Sequence, residues 1–320
     1  MAKKVDLSVI ILSYNTRELL RKCLKSVFKS IECGVQSIDK NQPKLQTQTS
    51  KFSFEVIVVD NASTDGSGQM VKSNFPRVKL IENPENYGFT KGNNIGIKSS
   101  TGKYLLLLNS DTTVLPDTFK TMLDFMERNP KVGVATCRVE FPDGTLDPAC
   151  HRGFPTPWNA FTYFSRLEKL FPKTKLFGGY HLGWKDLNKI HEIDTPTGAF
   201  YLIRRRVIEK VGILDERYFM YAEDIDLSYR VKNAGWKIMF VPKTKIIHYK
   251  KQSGREKTEK GMVTENAKII RSKAIRYFFG TMKTFYDKHY RDKYPFPVRF
   301  LVLSGIWCLT QFRLLQNKLK

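Results

Sequence analysis

The sequence predicts an α/β protein with a doubly wound, mostly parallel sheet, flanking helices and a basic helical C-terminal extension. Apolar runs such as Leu105 to Leu108 alternate with stretches of helical periodicity, the pattern of parallel strands joined by crossover helices. Polar residues follow several of these runs directly, and open α/β sheets place their ligands at such strand ends. With 320 residues, the chain is long enough for one large domain or two smaller ones.

Local patterns predict each element in turn. Runs of β-branched and aliphatic residues predict strands over Val5–Leu12, Phe54–Val59, Val78–Glu82, Lys103–Leu108, Val132–Val139, Thr195–Ile203 and Trp236–Val241. Helical spacing and capping residues predict helices over Thr16–Ser30, from Ser67 to about Asn74, over Thr118–Arg128 and Arg204–Val211, from Tyr221 to a stop at Gly235, and from about Thr264 to Tyr290.

We expect the α/β domain to occupy residues 1–250 and the basic helical extension to occupy residues 251–320. Residues 33–53 are polar and lack periodicity, which indicates a flexible insertion. Residues 150–192 mix aromatic side chains with Gly, Pro and Lys. Their position after the first half of the sheet favours an acceptor-binding region, although a lid that covers the sheet fits them equally well.

The net charge of +23 is concentrated near the C-terminus, because the residues from Lys243 onward hold 19 Lys and Arg against 5 Asp and Glu. Such a surface attracts nucleic acid, anionic lipid or phosphorylated substrates. The basic amphipathic pattern between Thr264 and Tyr290 is typical of a helix at a membrane surface. The apolar run Phe300–Leu309 is shorter than the roughly 20 residues that a spanning helix needs, so we expect no transmembrane segment.

The remaining sequence signals concern the N-terminus and the cysteines. The short apolar run that begins at Val5 has no cleavage site, so we expect a first strand and not a signal peptide. The five cysteines are scattered without C-x-x-C spacing, which indicates neither a zinc site nor a disulfide framework. A reducing compartment fits this cysteine usage.

Polar side chains follow four successive strands, as expected of a cleft large enough for a nucleotide. These side chains belong to Ser13, Tyr14, Asn15, Asp60, Asn61, Asn86, Asn109, Ser110 and Asp111. Taken alone, the tripeptide from Asn109 to Asp111 fits a turn as well as a binding site, because Asp111 could simply cap the next helix.

A second group of acidic residues opens the helix that ends before Gly235. Glu223, Asp224 and Asp226 lie within four positions at the predicted helix N-terminus. One or two carboxylates there would stabilise the helix dipole, whereas three in an otherwise basic protein favour chemistry as strongly as structure. His248, which follows the last strand, is by itself more typical of a structural histidine.

Together these motifs resemble a known family. The ordered succession VIILSYN, VVDNASTDGS, NYGFTKGNNIGI, LLLLNSD, TGAFYLIRR and YAEDIDLSYR, with a histidine after it, is similar to the inverting family 2 glycosyltransferases of the GT-A fold. Within that family the chain most resembles the rhamnosyltransferase-like branch. The resemblance extends from Val5 to Tyr249 and depends on the order and spacing of six motifs.

The resemblance implies a role for each polar position. Asp111 and His248 correspond to ligands of a divalent metal, Mg²⁺ or Mn²⁺, on the donor diphosphate, and Asp224, in its pair with Glu223, corresponds to the catalytic base. Asn109 stands where most members have a first aspartate, which is the chain's main departure from the family pattern. Donor-binding positions are implied at Ser13, Tyr14, Asn15, Asp60, Asn61, Asn86, Gly88, Asn93, Asn94, Asn109 and Ser110.

The resulting hypothesis is a metal-dependent inverting glycosyltransferase that uses a nucleotide-diphospho sugar, with dTDP-rhamnose as the leading donor. Its expected acceptor is a glycan or a lipid-linked glycan. The basic extension would hold it at an anionic membrane surface, which implies a cytoplasmic protein peripheral to the inner face of the cell membrane.

Four other classes of protein fit the sequence less well. A nucleic-acid-binding protein would use the basic tail, but a basic recognition element is lacking in the body of the chain, so no nucleic acid is expected as a partner. An inactive sugar-nucleotide-binding scaffold would keep the cleft without the reaction. A glycosidase would leave the polar strand ends unexplained, and a Rossmann dehydrogenase would need G-x-G-x-x-G after the first strand.

Overall fold

The computed structural model describes residues 5–36, 52–249 and 265–319. Its strands are β1 (Leu7–Ser13), β2 (Phe54–Asp60), β3 (Lys79–Glu82), β4 (Tyr104–Asn109), β5 (Thr112–Val114), β6 (Val132–Glu140), β7 (His191–Glu192), β8 (Phe200–Arg204) and β9 (Lys237–His248). Its helices are α1 (Arg17–Gln36), α2 (Ser67–Asn74), α3 (Gly88–Lys98), α4 (Thr118–Arg128), α5 (Pro157–Phe164), α6 (Leu167–Leu170), α7 (Arg205–Val211), α8 (Glu223–Asn233), α9 (Glu265–His289) and α10 (Phe296–Lys318).

One mixed sheet forms the centre of the fold. Its strand order is β3-β2-β1-β4-β8-β6-β9-β5, and β7 pairs with β9 beside this path. The first four strands of this order are parallel, as the alternation of strands and helices predicts. Strand β8 is antiparallel to both β4 and β6, and β6 is parallel to β9. The predicted doubly wound, mostly parallel α/β fold with a helical extension is therefore confirmed.

The central strands are buried on both faces, which explains their continuous apolar composition. Leu105 and Leu106 of β4 are completely inaccessible, and so are Val9 and Ile10 of β1. Helices α1 and α4 cover this sheet with Leu20, Leu24, Phe119 and Met122. The sheet is thereby held rigidly, and its polar strand ends are presented at one edge.

The C-terminal extension packs on helix α8 through a second apolar cluster. Tyr218, Ile225 and Tyr229 contact Phe285 and Tyr290 of α9 there. The predicted helix from about Thr264 to Tyr290 agrees with α9. Residues 250–264, where the body and the extension join, lie outside the described part of the chain.

Several boundaries differ from the sequence prediction. Helix α1 continues to Gln36, so the first four residues of the predicted insertion are helical, while residues 37–51 lie outside the described ranges. Strand β9 runs unbroken to His248, although a turn was expected after Val241. An irregularity in its pairing with β6, between Cys137 and Arg138, lets the strand absorb the extra residues that the sequence suggested were a turn.

The expected absence of a transmembrane segment rested on the length of one apolar run, and the helix that contains this run is longer than the run itself. The apolar run Phe300–Leu309 lies inside α10, which has 23 residues. Within the described residues, α10 is the one helix long and apolar enough to span a bilayer by length and composition. The prediction considered only the uninterrupted apolar run, whereas isolated polar residues flank it without ending the helix.

Candidate active site

Strand pairing brings the predicted polar positions together at one edge of the sheet. Ser13 lies opposite Asp60 in the pairing of β1 with β2, and Leu12 lies opposite Asn109 in the pairing of β1 with β4. The Thr16 hydroxyl lies 3.0 Å from the Ser13 hydroxyl and 3.0 Å from that of Ser110. This buried chain of hydroxyl groups fixes the end of β1 against the end of β4.

The end of β2 at this edge is organised by Asp60 and Asn61. Asp60 is nearly buried and receives a short hydrogen bond from the Ser63 hydroxyl. Burial, reinforced by Asp65 and Glu82, raises the pKa of the Asp60 carboxyl above its ordinary value despite that bond. The Asn61 amide donates to the Asn86 side chain at 3.0 Å, so the structure joins two of the predicted positions.

Tyr14 and Asn15 follow β1 and are both exposed. Asn15 has a left-handed backbone with φ of 52°, which asparagine tolerates better than most residues. Its side-chain oxygen accepts a hydrogen bond of 2.8 Å from the backbone of Thr64. Asn15 therefore ties the loop after β1 to the loop after β2, and Tyr14 is left facing solvent.

Helix α3 begins earlier than the loop from Asn83 to Asn94 suggested. Gly88 starts it with φ of +77°, and a Cβ there would lie 2.6 Å from the Phe219 ring. Asn94 is buried, with its amide nitrogen 2.9 Å from the Leu214 carbonyl and its oxygen accepting from the Leu214 backbone. The Asn93 amide bonds the Phe89 carbonyl. The Asn94 side chain thus joins α3 to the loop that contains Leu214, whereas that of Asn93 bonds within α3. The donor contacts expected of both side chains stay a prediction.

The next group lies where β5 pairs with β9. Asp111 precedes β5, and its Oδ1 lies 3.3 Å from Nε2 of His248. The other ring nitrogen, Nδ1, lies 2.9 Å from Asp147, which is completely buried. Burial lowers the pKa of His248, but the two flanking carboxylates outweigh it and raise the value to about 9. The imidazole is therefore held between two acidic groups.

The donor set of Asp111 and His248 fits a divalent cation. Adjacent ligands of an octahedral ion with bonds of about 2.1 Å lie about 3 Å apart, close to the observed separation of 3.3 Å. Asp147 resembles the second carboxylate that orients a metal-binding histidine through its other nitrogen. In the described part of the chain no group of three or more His, Cys, Asp or Glu side chains is arranged to hold a metal ion, so Asp111 and His248 would supply two ligands of a larger set.

The acidic start of α8 follows an unusual turn. Tyr221 and Ala222 have φ of 70° and 67°, a conformation that costs free energy for residues with a side chain. Glu223 comes next and is buried, and its Oε2 has no hydrogen-bond partner among the described residues. Burial and the neighbouring Asp224 together raise the pKa of Glu223 well above its ordinary value. The environment of Glu223 therefore favours its neutral form.

Asp224 is paired with an arginine that the sequence did not single out. Nη2 of Arg152 donates to Oδ2 of Asp224 at 2.8 Å and to the carbonyl of Pro196 at 2.9 Å. The backbone N–H of Ile225 donates to the other oxygen of Asp224 at 2.8 Å. Both oxygens of this carboxylate are thus oriented by the protein.

These groups share one large cavity of about 1370 Å³. Its polar end contains Asn109, Asp111, His248, Arg152, Glu223 and Asp224. The loop from Thr197 to Ala199, which precedes β8, also lines it. The two groups that lie about 110 residues apart in sequence, at Asp111 and Asp224, therefore face the same space.

Sequence reasoning missed Arg152, Asp147 and Thr16. Arg152 and Asp147 lie in or beside the stretch that the sequence left unassigned, and neither belongs to a periodic pattern. Thr16 was assigned only as the start of a helix. Burial of Arg152 would have identified it, because a buried arginine needs a carboxylate partner. Burial cannot be read from a single sequence.

The fold and these paired groups define a transferase of the GT-A type. Comparison with known families identifies it further, since the model of the family described as "Glycosyl transferase family 2" matches residues 8–212. The chain belongs to this family and is a glycosyltransferase. That assignment confirms the family resemblance and removes the nucleic-acid-binding alternative from the leading hypotheses.

Individual relatives are consistent with the rhamnosyltransferase-like branch. The chain is 30% identical over 227 residues to the "N-acetylglucosaminyl-diphospho-decaprenol L-rhamnosyltransferase" of Mycobacterium tuberculosis, covering 63% of this chain and 68% of that protein. It is 27% identical over 178 residues to "Rhamnosyltransferase WbbL" of Escherichia coli, covering 53% of this chain and 63% of the other.

Solved structures show the same fold at low identity. A mannosyltransferase from Pyrobaculum calidifontis, described in complex with GDP-Man and Mn²⁺, superposes with a TM-score of 0.52 at 15% identity, covering 100% of this chain and 87% of that one. GalNAc-T7 superposes with a TM-score of 0.53 at 17% identity, covering 78% and 44% respectively. These likenesses confirm the GT-A architecture.

Proposed function

We propose that this protein is a metal-dependent inverting glycosyltransferase that moves rhamnose from dTDP-rhamnose to a glycan acceptor carried on a lipid. The observation that supports this proposal most strongly is that the Asp111 and His248 pair and the Asp224 and Arg152 pair line one cavity. The first pair suits a diphosphate with its cation, and the second suits a hydroxyl that must lose a proton.

In this proposal Asp111 and His248 hold Mg²⁺ or Mn²⁺, and Asp147 orients the imidazole. A bound divalent cation would supply Lewis-acid stabilisation of the departing diphosphate. Asn109 offers a neutral amide where a second carboxylate is usual, so the protein contributes less negative charge to the ion. Asp60, at the end of β2, lies where it can accept hydrogen bonds from the nucleoside.

The transfer itself is a single displacement. The acceptor oxygen forms a bond to the anomeric carbon while the bond from that carbon to the diphosphate oxygen breaks, and Asp224 takes the acceptor's proton. Arg152 and the Ile225 N–H hold the carboxylate in place. Burial beside Asp224 raises the pKa of Glu223, which favours Asp224 over Glu223 as the group that accepts the proton.

The identities of the substrates are suggested by the relatives. Two of them are named as rhamnosyltransferases, and the mycobacterial protein is named for an acceptor on diphospho-decaprenol. The basic C-terminal region, with its 19 Lys and Arg, favours an anionic surface. We therefore place the protein in the cytoplasm, on the inner face of the cell membrane.

A transfer assay tests this proposal. Purified protein in detergent is given radiolabelled dTDP-rhamnose, UDP-N-acetylglucosamine or GDP-mannose with N-acetylglucosaminyl-diphospho-decaprenol as acceptor. We expect transfer from dTDP-rhamnose, with inverted anomeric configuration by NMR. EDTA should lower the rate about 100-fold or more, and Mn²⁺ or Mg²⁺ should restore it, because the cation stabilises leaving-group charge.

Two outcomes would contradict parts of the proposal. Full activity in metal-free buffer would remove Asp111 and His248 from a metal role. Efficient transfer of another sugar, with none from dTDP-rhamnose, would overturn the donor assignment while leaving the reaction class intact.

Arg152 provides a separate test as a positioning residue. Arg152→Ala is expected to lower kcat about 100-fold with little change in the donor KM, because a misplaced base costs about that much. Millimolar guanidinium should partly rescue this variant, and Arg152→Lys should retain more activity than Arg152→Ala. Arg206→Ala is the matched control, since Arg206 is exposed and bonds the Pro130 carbonyl. Equal losses in Arg152→Lys and Arg152→Ala, without rescue, would indicate a purely structural role.

A further inference from the structure

Helix α10 carries apolar side chains on two different faces. One face lines the cavity that contains Asp111 and Asp224, through Val298, Val302, Gly305, Ile306 and Leu309, and Leu301 also borders this cavity although it is 69% accessible. The other face is exposed and includes Phe296, Phe300 and Trp307, of which Phe296 is 76% and Trp307 64% accessible. Both sets recur at intervals of three and four residues, so each forms a stripe along the helix.

A helix that is apolar on both faces is unusual on a protein surface in water. Such helices occur in the interior of large proteins or in membranes. In α10 the outer stripe is uncovered, and the helix is long and apolar enough to enter a bilayer. Arg299 and Arg313 lie near its two ends, where cationic side chains can reach lipid headgroups. The outer stripe therefore fits contact with lipid.

The inner stripe faces a cavity whose lining is both polar and apolar. Asp111, Arg152 and Asp224 line it together with a larger apolar set that includes Trp158 and Phe161 of α5, Met282 and Phe285 of α9, and the inner face of α10. Its volume of about 1370 Å³ exceeds the roughly 1,000 Å³ at the upper end for small-molecule pockets. When a sugar hydroxyl of the acceptor contacts Asp224, the apolar part of the cavity is available to another portion of the same acceptor molecule.

We infer that the apolar part of this cavity binds the long isoprenoid chain of a lipid-linked acceptor and delivers its sugar to Asp224. The inference rests on the proposed function and adds the location of the acceptor's lipid. A free glycan would leave the apolar walls in contact with water, at a cost proportional to their area. A polyprenyl chain fills them, and the outer stripe of α10 brings the cavity to the membrane where such a chain resides.

A pair of matched variants tests the location. A Cβ at Gly305 meets no atom within 4 Å, so Gly305→Phe adds a ring on the cavity side of α10 with room to be accommodated. Ser304→Phe adds the same ring next to it, on the surface that Ser304 shares with Phe300 and Trp307. Both variants keep the helix apolar, and they differ in the face that they change.

Two measurements are made on the full-length protein in detergent micelles. Equilibrium binding of radiolabelled decaprenyl phosphate should weaken at least tenfold in Gly305→Phe and stay near wild type in Ser304→Phe. The KM for N-acetylglucosaminyl-diphospho-decaprenol should rise about as much in Gly305→Phe, while the KM for the same acceptor with a ten-carbon chain stays unchanged. Circular dichroism and thermal unfolding check that both variants are folded.

The outcomes separate this inference from the proposed function. Equal decaprenyl phosphate binding in the two variants, or competition by phosphatidylglycerol as strong as by decaprenyl phosphate, would overturn the lipid-chain assignment even if transfer occurs. A concentration-dependent dimer that binds no lipid would also overturn it. Lipid binding that is lost only in Gly305→Phe, without transfer from any donor, would support the binding site and contradict the proposed reaction.

Discussion

The variant Asp224→Asn is expected to lose about 10³-fold in kcat, within the range of 10² to 10⁴ that general-base catalysis contributes. Asparagine keeps the shape and can still accept a hydrogen bond from Arg152, but it cannot take the acceptor's proton. Donor binding should be nearly intact, because in the proposed function Asp224 contacts the acceptor and not the donor. Isothermal titration with the donor and a single-turnover transfer assay measure the two effects separately.

Glu223→Gln is the matched control for this experiment. Burial beside Asp224 raises the pKa of Glu223 and favours its neutral form. The amide therefore mimics its state, and at pH 7 we expect activity within roughly threefold of wild type. A large loss in Glu223→Gln together with a mild one in Asp224→Asn would exchange the two roles and make Glu223 the base.

A second large effect concerns the contact between α9 and helix α8, which contains Asp226. Asp226 is completely buried, and its carboxylate contacts Arg230 at 2.9 Å, Lys288 at 2.6 Å and His289 at 2.7 Å. Asp226→Asn is expected to lower the free energy of unfolding by about 3 kcal/mol, since it removes the buried carboxylate that pairs with Arg230 and Lys288 and bonds His289. Urea denaturation followed by circular dichroism measures this loss.

The stability that the Asp226 ion pairs contribute depends on pH. Burial alone would raise the pKa of Asp226. His289, Lys288 and Arg230 lower it by a larger amount, so the pKa lies below its ordinary value. The ion pairs therefore stabilise the fold fully above the unfolded-state pKa of about 4 and lose that effect as pH falls below it. The difference between wild type and Asp226→Asn should shrink below about pH 4.

Asp124→Asn is the control for Asp226→Asn, because Asp124 pairs with Lys120 on the surface of α4. Exposed pairs of this kind contribute less than about 1 kcal/mol. A loss in Asp226→Asn no larger than that of the control would show that α9 is held by its aromatic contacts alone.

The sheet and its polar edge were predictable because their signals are local. Four consecutive leucines, as in β4, are typical of a strand whose two faces are both buried. Asp60, Asn109 and Asp111 follow such strands directly, so their convergence at one edge follows from parallel pairing alone. Asp111 and His248 were matched by motif, and the structure places them 3.3 Å apart.

The remaining features depend on contacts that are distant in sequence. Arg152 and Asp224 are separated by 72 positions, and Asp147 and His248 by 101. The antiparallel insertion of β8 between β4 and β6 is likewise decided by packing of the whole sheet. The bonds of Asn94 to Leu214 join positions 120 apart in sequence, so they too were not predictable from local patterns.

The spacing of Asp111 and His248 is set by backbone pairing as much as by side chains. In the ladder between β5 and β9, Thr112 lies directly opposite His248, and the N–H of Tyr249 donates to the Asp111 carbonyl at 2.8 Å. Because a slip of one residue would turn every side chain of β9 to the opposite face, single-residue insertions or deletions between Lys245 and His248 cannot be tolerated. Insertions and deletions in natural or engineered versions of this chain should therefore occur before the ladder between β5 and β9, at the irregular pairing of β6 with β9 beside Cys137. A change of length there shifts the register of β9 without moving His248.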